Sequence, residues 1–197
     1  MQLGERRAHV LRKTLETEVD AKVNLDGESI ANIDTSIPFL NHMISQLSRH
    51  GNFDIDLRAK GDIDVDFHHL VEDVGITLGQ AFNKSLEDKV SINRFGYSMV
   101  PLDEALAQVV VDISGRPFIV YNVPVQGKWI GLLDAELFED FFRAFSLNAQ
   151  ICLHASVLYG KSTHHVIESL FKSLALSLRM AVNKVQSVEI PSTKGII

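Results

Sequence analysis

A short histidine-rich motif occurs twice in this chain, and this repetition constrains the fold more than any other feature. His68-His69-x-x-Glu72 and His164-His165-x-x-Glu168 lie 96 residues apart. Around each copy, the apolar pattern predicts the same succession of strand, turn, strand, helix, strand and helix. We therefore expect one domain, residues 1–197, made of two fused α+β halves, 1–93 and 94–197, that share one core.

Apolar periodicity places the individual elements. Alternation predicts short strands, and Asp26-Gly27 predicts a hairpin turn between two of them. A helical spacing of apolar residues after Pro38 predicts a helix that ends at Gly51. The expected strands are 7–14, 18–25, 53–57, 105–112, 117–123 and 151–158, and the expected helices are 38–51, 67–86, 134–150 and 163–182.

Composition narrows the class of protein. Apolar residues make up 46% of the 197 residues and charged residues 22%, which excludes a disordered chain. The net charge of −6, with no long basic run, argues against nucleic acid or an anionic membrane as partner. No apolar run approaches the ~18 residues of a membrane span, and residues 1–13 lack the apolar stretch of a signal peptide. Because the single cysteine, Cys152, excludes an internal disulfide, we expect a cytoplasmic protein.

The repeated motif also indicates metal binding. On a helix, residues three or four apart share a face, so each copy can direct one histidine and its glutamate to one metal. With His42 and His154, the chain offers six imidazoles and two carboxylates, which suit two divalent ions such as Mn, Fe, Co or Zn. The alternative is that the His-His pairs are solvated helix positions. Taken alone, His42 and His154 would be ordinary core or surface residues, and His9 and His50 stay outside the metal shell.

A second group of residues has the chemistry of a phosphate site. Guanidinium groups bind phosphate through paired hydrogen bonds, and an ammonium group adds a point charge. The alternative for each residue is a solvated surface charge. The group comprises Arg94, Arg116, Lys172, Ser192 and Lys194.

Together these motifs resemble the imidazoleglycerol-phosphate dehydratase family of histidine biosynthesis. The resemblance extends from Arg7 to Gly195, and the two histidine motifs with the Pro-Ser-Thr-Lys-Gly ending are its most specific parts. It implies an internally duplicated ferredoxin-like unit and two manganese ions per subunit. It also implies self-association into trimers and a homo-oligomeric shell of 24 subunits, with active sites at the subunit contacts. The other matching segments are 12–17, 39–43, 61–62, 66–73, 94–96, 101–105, 112–117, 153–154, 160 and 164–172.

The resemblance also assigns roles to residues. It implies that the phosphate contacts are the five residues of the phosphate group above. It implies that Glu16 is the catalytic acid/base, and that Gln46, His50 and Asp103 bind substrate in the same pocket. The metal ligands that it implies are His42, His68, His69, Glu72, His154, His164, His165 and Glu168.

Three positions depart from the family pattern. Ser36 stands where glycine is usual, Asn41 where aspartate is usual, and Ser162 where asparagine is usual. We expect Asn41 and Ser162 to alter the hydrogen bonds that orient ligands, which can change metal affinity or rate by about 10–100-fold. The reaction type should be unaffected.

The implied reaction converts imidazoleglycerol phosphate, a small phosphorylated imidazole, to imidazole-acetol phosphate and water. The departing proton lies on a carbon with no neighbouring carbonyl, so the ring must take up the electrons, with metals as Lewis acids at its nitrogens. Two other interpretations stay open. One is a non-enzymatic, metal-stabilised shell, against which Glu16 and the cationic residues argue. The other is a dinuclear metallohydrolase, which would need more bridging carboxylates than Glu72 and Glu168.

Overall fold

A computed structural model describes residues 6–124, 128–186, 190–195 and 197, so the first five residues of the arginine-rich amino-terminal segment lie outside it. Two four-stranded sheets each pack against helices in a mixed α+β fold, consistent with duplicated ferredoxin-like halves, which confirms the predicted fold class. The strands are β1 (Arg7–Lys13), β2 (Thr17–Asn24), β3 (Ala31–Asp34), β4 (Asp54–Gly61), β5 (Phe95–Leu102), β6 (Ala105–Asp112), β7 (Phe118–Asn122), β8 (Trp129–Ile130), β9 (Leu133–Asp134) and β10 (Cys152–Tyr159). The helices are α1 (Pro38–Gly51), α2 (His68–Ser85), α3 (Leu137–Ala149) and α4 (Thr163–Val182).

The two large sheets have the same strand order. Sheet 1 has the order β1-β2-β4-β3, and sheet 2 has the order β5-β6-β10-β7. In each sheet the first three strands are antiparallel, and the last strand runs parallel to its neighbour. The division into halves at residues 93 and 94 stays a prediction. Within the described residues, no helix has both the length and the apolar composition needed to cross a bilayer.

All four predicted helices are present, and α1 and α4 have the predicted bounds, but the predicted hairpin turn is wrong and the strands β3, β5, β8 and β9 were not predicted. Asp26-Gly27 does not close a hairpin: β2 pairs with β1, which precedes it, and Asp26-Gly27 leads to β3 at the far edge of the sheet. The apolar pattern also fails to predict β5, because Gly96 and Pro101 interrupt it. Pro101 is tolerated because β5 is an edge strand. Gly96 is required because a Cβ there would lie 1.9 Å from the carbonyl oxygen of Ser177 in α4.

The core lies where the helices of the two halves meet. α2 packs against α3, and α1 packs against α4. Gly75 and Gly79 bring the backbones of α2 and α3 together, because a Cβ at either position would lie 2.8 or 2.7 Å from a carbonyl oxygen of α3. Phe171 of α4 and four phenylalanines of α3 fill the centre, each at most 1% exposed, and each such ring contributes about 1.5–3 kcal/mol. This packing fixes the first turns of α1, α2 and α4.

Arg6 ties β1 to the end of α4 and so connects the two halves. It is buried, and its Nη1 donates a hydrogen bond to the carbonyl oxygen of Val182 at 2.7 Å. Its Nη2 lies 2.6 Å from Oδ1 of Asp26. Hydrogen bonding to Arg6 lowers the pKa of Asp26 to about 2, despite partial burial.

Candidate active site

The first turns of α1 and α4 bring three predicted metal ligands together, and we call them the His42 cluster: His42, His164 and Glu168. One ligand atom from each lies within 4.8 Å of the others. Glu168 Oε2 lies 3.0 Å from His164 Nε2 and 3.3 Å from His42 Nε2. Both histidines are exposed and the glutamate is buried. The four-residue spacing therefore places His164 and Glu168 on one face of α4, as predicted.

Glu168 also binds Lys172, one turn further along α4. Lys172 Nζ lies 2.8 Å from Glu168 Oε1. Burial acts to raise the pKa of Glu168, but hydrogen bonds from Lys172 and both histidines lower it to about 2. Glu168 is therefore a carboxylate at neutral pH. Lys172, a predicted phosphate contact, is engaged at the His42 cluster.

A second group lies at the start of α2 and comprises Glu16, Asp62 and His69. His69 Nδ1 lies 2.9 Å from Asp62 Oδ2 and 3.6 Å from Glu16 Oε2. The hydrogen bond with Asp62 raises the pKa of His69. The other carboxylate oxygen of Asp62 is buried and has no hydrogen-bond partner among the described residues. The side chain of Glu16 is 58% exposed and, among the described residues, makes only a long ion pair with His69.

The turn that carries Glu16 is fixed to α2 by Asp73. This buried carboxylate accepts hydrogen bonds from Arg12 Nε, at 2.8 Å, and from the Thr17 hydroxyl. Thr14 Oγ1 accepts the backbone N–H groups of Glu16 and Thr17 at 3.1 and 2.9 Å. A buried charge requires such partners. These contacts hold the turn in place, whereas the carboxylate of Glu16 itself is exposed and, within the described part of the chain, has only the long ion pair with His69.

In the second half, His165 binds Glu104. His165 Nδ1 lies 2.7 Å from Glu104 Oε2, and its Nε2 lies 3.9 Å from Asp103 Oδ2. Glu104 Oε1 accepts the backbone N–H groups of Lys161 and Ser162 at 3.1 and 2.7 Å. Hydrogen bonding to His165 and these N–H groups lowers the pKa of Glu104 to about 2. The hydrogen bond with Glu104 in turn raises the pKa of His165.

The other three predicted ligands lie apart from the His42 cluster. His68 Nδ1 lies 3.3 Å from Asp140 Oδ2 of α3. Glu72 is exposed, and its side chain makes no hydrogen bond or ion pair with another described residue. His154 is exposed on the outer face of sheet 2, paired with Val110 on one side and Val120 on the other. Among the described residues, three is thus the largest number of predicted ligands that meet at one point.

Arg94, a predicted phosphate contact, holds the carboxyl-terminal segment. It donates hydrogen bonds to both carboxylate oxygens of Asp112, at 2.7 and 3.1 Å, and to the carbonyl oxygen of Pro191 at 2.8 Å. Hydrogen bonding to Asp112 raises the pKa of Arg94. Ser192 and Lys194 follow Pro191, so Arg94 fixes the start of the segment that carries them.

Arg116 belongs to a turn that also approaches the end of the chain. A Cβ on the preceding Gly115 would lie 2.9 Å from the carbonyl carbon of Ile197. Four of the five predicted phosphate contacts therefore lie in or near the carboxyl-terminal segment, whereas Lys172 does not.

Two predicted pocket residues, Gln46 and His50, lie on the same face of α1 as His42. Gln46 and His50 follow at intervals of four residues, which places all three on one face of the helix. His50 Nε2 lies 3.0 Å from Gln46 Oε1. Burial, together with the charge of nearby Lys172, lowers the pKa of His50. A cavity of about 670 Å³ opens on the other side of His42, lined largely by apolar residues.

The departures from the family pattern keep hydrogen bonds next to predicted ligands. Asn41 Oδ1 accepts the backbone N–H and the hydroxyl of Thr35, at 2.8 and 2.6 Å. The side chain of Ser162 caps α4 by accepting the backbone N–H of His165 at 3.4 Å. Ser36 adopts φ 61°, the left-handed region that favours glycine.

The donor atoms fit a first-row divalent metal, since the His42 cluster combines two imidazole nitrogens with an ionised carboxylate oxygen. The prediction from sequence did not include Asp62, Glu104 and Asp140, which contact the remaining motif histidines. Asp62 and Glu104 lie inside the matching segments 61–62 and 101–105, but no spacing rule connects them to His69 or His165. Their roles depend on contacts between distant segments.

Comparisons with known proteins agree with one another. The family model described as imidazoleglycerol-phosphate dehydratase matches residues 35–178. Relatives of that name are 52% identical over 192 residues in Thermodesulfovibrio yellowstonii, covering 98% of this chain and 100% of that protein, and 50% identical over 198 residues in Clostridium kluyveri, covering 100% of both. The crystal structure of the Staphylococcus aureus dehydratase superposes with a TM-score of 0.83 at 35% identity, over 91% of this chain and 99% of that chain. That of Pyrococcus furiosus gives 0.84 at 31% identity, over 95% and 100%.

Proposed function

The chain belongs to the imidazoleglycerol-phosphate dehydratase family, and on that premise we propose that it performs a metal-dependent dehydration. The family consists of hydro-lyases of histidine biosynthesis. The proposed reaction takes imidazoleglycerol phosphate to imidazole-acetol phosphate and water, with two manganese ions per subunit. The observation that carries the proposal is the His42 cluster, where three predicted ligands from two helices converge.

The eight predicted ligands would hold the metals, some of them across subunit contacts. When bound, the metals would supply Lewis acidity at the nitrogens of the substrate ring. The lowered pKa of Glu168 supports this role, because an ionised carboxylate is needed for metal binding.

Glu16 is proposed to move the proton of the reacting carbon. Its carboxylate is exposed and lies 3.6 Å from His69, a predicted ligand, so it can reach a ring bound there. Its turn is held by Asp73, so the carboxylate is presented from a rigid element. A positioned acid/base group of this kind contributes about 10²–10⁴-fold.

Arg116 and the carboxyl-terminal residues Ser192 and Lys194 are proposed to bind the substrate phosphate, together with the other two predicted contacts, Arg94 and Lys172. Arg94 holds the segment through Pro191. In this arrangement the phosphate and the ring are bound by different parts of the chain, which fixes the reacting carbons between them.

Self-association is proposed from two observations, and its form, trimers and a 24-subunit shell, is the one that the family resemblance implies. One chain gathers only three ligands at one point among the described residues. His154, another predicted ligand, stands on an apolar sheet face in a row with Tyr97, Val110 and Val120. A neighbouring subunit would both cover this face and bring further ligands. We also propose a cytoplasmic location, which the unpaired thiol of Cys152 suits.

The direct test is turnover of imidazoleglycerol phosphate by the purified chain, stripped of metal and then supplied with manganese. We expect imidazole-acetol phosphate to form only after manganese is added. A chain that binds manganese and assembles but forms no product would instead be the non-enzymatic shell.

A second experiment tests the link between metal and assembly. Metal that joins subunits stabilises the assembly by mass action, so chelation should release smaller species, measured as a lower mass by light scattering. Readdition of manganese is the control and should restore the large species. An unchanged mass in protein shown to be metal-free by elemental analysis would contradict the link.

A further inference from the structure

Each histidine motif contains one histidine whose Nδ1 is bound by a carboxylate from another element. In the second half, His165 Nδ1 lies 2.7 Å from Glu104 Oε2. In the first half, His69 Nδ1 lies 2.9 Å from Asp62 Oδ2. The two carboxylates come from different places, since Glu104 precedes β6 and Asp62 follows β4. In both halves a carboxylate thus binds Nδ1 of a motif histidine, but the two carboxylates come from positions that do not match in the repeat.

Glu104 is unusually well fixed for a carboxylate at a hairpin turn. Its second oxygen accepts the backbone N–H groups of Lys161 and Ser162, which lead into α4. The carboxylate therefore cannot turn away from His165 without losing two further hydrogen bonds. Hydrogen bonds to an ionised carboxylate are stronger than those between neutral groups.

An ionised carboxylate can only accept a hydrogen bond, so the Nδ1 of His165 must carry the proton. In a neutral ring, Nε2 then has the free electron pair that a metal requires. A carboxylate that binds the remote nitrogen also fixes the ring plane and makes the ligating nitrogen more basic.

We propose that Glu104 is a positioning residue that holds His165 as the Nδ1–H tautomer, with Nε2 directed to the metal, and that Asp62 does the same for His69. The inference rests on the proposed function, because it presumes that these histidines bind metal. Glu104 does not touch the substrate in this view, and its effect passes through the histidine ring.

The first test uses the unaltered, metal-free chain with nitrogen-15 labelled histidine. NMR at about pH 9, well above the ordinary histidine pKa, should show His165 with its proton on Nδ1. A His165 ring protonated on Nε2 would overturn the proposal without any variant.

The second test measures manganese affinity by competition with a chelator. Glu104→Gln keeps the size of the side chain but removes the charge, and we expect about 10–100-fold weaker manganese binding. Asp62→Asn should have a similar effect at the other motif. The control is Ser162→Ala. Although Ser162 was expected from sequence to affect ligand orientation, its hydroxyl binds the backbone N–H of His165 and not the ring, so this variant removes the cap of the same helix and leaves the Nδ1 contact in place. It should lower stability but keep the His165 tautomer and retain most of the affinity.

The outcomes separate this inference from the proposed function. If the unaltered chain binds no manganese, the metal role itself fails. If it binds manganese and a folded Glu104→Gln variant binds it within about twofold of the unaltered chain, Glu104 serves only to cap α4 and the positioning role is wrong. Equal losses in Glu104→Gln and Ser162→Ala would also overturn it, because they would trace the effect to the helix start.

Discussion

The two sheets share a strand order but expose different outer faces. In sheet 1 the outward residues of β2 and β4 are charged or polar, and Lys22 is the sixth residue of β2. In sheet 2 the outward residues include Phe95, Tyr97 and Val110, and Val110 is the sixth residue of β6. Two sheets of the same topology thus have different outer faces: the outer face of sheet 1 is polar, and that of sheet 2 is apolar. Strand order determines the position of each residue in a sheet, and the side chains at those positions determine what the outer face of the sheet can bind.

The two hairpin glutamates differ in the same way. Glu16 directly precedes β2, and Glu104 directly precedes β6, so they occupy matching places in the two halves. Glu104 is bound by His165 and two backbone N–H groups, whereas the carboxylate of Glu16 has no close partner except His69 at 3.6 Å. A carboxylate with three hydrogen-bond partners can orient a neighbouring side chain, whereas an exposed carboxylate with one distant partner can accept or donate a proton.

The largest expected effect tests this contrast at Glu16. Glu16→Gln removes the proton-accepting charge, so turnover should fall by at least about 10²-fold while metal content stays unchanged by elemental analysis. Glu18→Gln, two residues away at a surface ion pair, is the control and should stay within about twofold. Loss of metal together with activity would make Glu16 a ligand, which would remove the contrast with Glu104.

A somewhat smaller effect is expected for phosphate binding, which distinguishes the two halves because all five predicted phosphate contacts lie in the second half. Lys194→Ala removes a charge-assisted hydrogen bond of about 1.5–3 kcal/mol, so substrate binding should weaken about 10- to 150-fold in steady-state kinetics. Lys60→Ala, at an exposed position of sheet 1, should change it by less than about twofold. If both variants behave alike, the segment does not bind phosphate.

The contrast between the sheet faces is tested by exchanging matching residues. Val110→Lys places on sheet 2 the residue that sheet 1 carries, and burying that charge at a subunit contact should weaken assembly about tenfold or more. Sedimentation at several protein concentrations would measure the change, with circular dichroism to verify the fold. The reciprocal Lys22→Val should leave assembly unaltered. Assembly that tolerates Val110→Lys would show that the apolar face lies outside the contacts.

The smallest effect concerns the Arg6–Asp26 tie between the halves. The pKa of Asp26 is lowered, so the tie stabilises fully above the ordinary carboxyl pKa and is lost as pH falls towards about 2. Asp26→Asn should reduce the free energy of unfolding by about 1 kcal/mol near neutral pH, allowing for solvent screening, and the difference should vanish at low pH. Urea unfolding across pH would measure it. Asp56→Asn, which removes a surface pair, should give a flat difference near zero.

The sequence predicts what depends on neighbours along the chain. The helix bounds follow from apolar periodicity, and the pairing of His164 with Glu168 follows from helical spacing. The contact of His42 with that pair depends on how α1 crosses α4. Without the family resemblance, His42 would have been interpreted as an ordinary core or surface residue. Strand β5 was missed because the reason for Gly96 lies in α4, far along the chain.

The crossing of α2 and α3 shows the same dependence on distant contacts. His42 and Asp140 each stand ten residues before the left-handed residue that ends their helix, Asn52 or Gln150. The first half therefore offers a histidine to its partner helix, and the second half offers an aspartate, which lies 3.3 Å from His68. Motif spacing is identical in the two halves, so spacing alone cannot predict that the two sites differ in their donors.

The glycines of α2 have no counterpart in α4, and this difference is possible because the two halves belong to one chain. Gly75 and Gly79 let α2 lie directly against α3, while the matching positions of α4 hold Phe171 and Ala175. A pair of separate, identical half-chains related by a twofold axis would have to place the same residue at both crossings. Joining the two halves in one chain removes that symmetry, because the sequence of each half can then differ. The position in α2 therefore holds a glycine against α3, whereas the matching position in α4 holds Phe171, whose ring packs against phenylalanines of that same helix α3. A gene encoding a single half could not specify this difference.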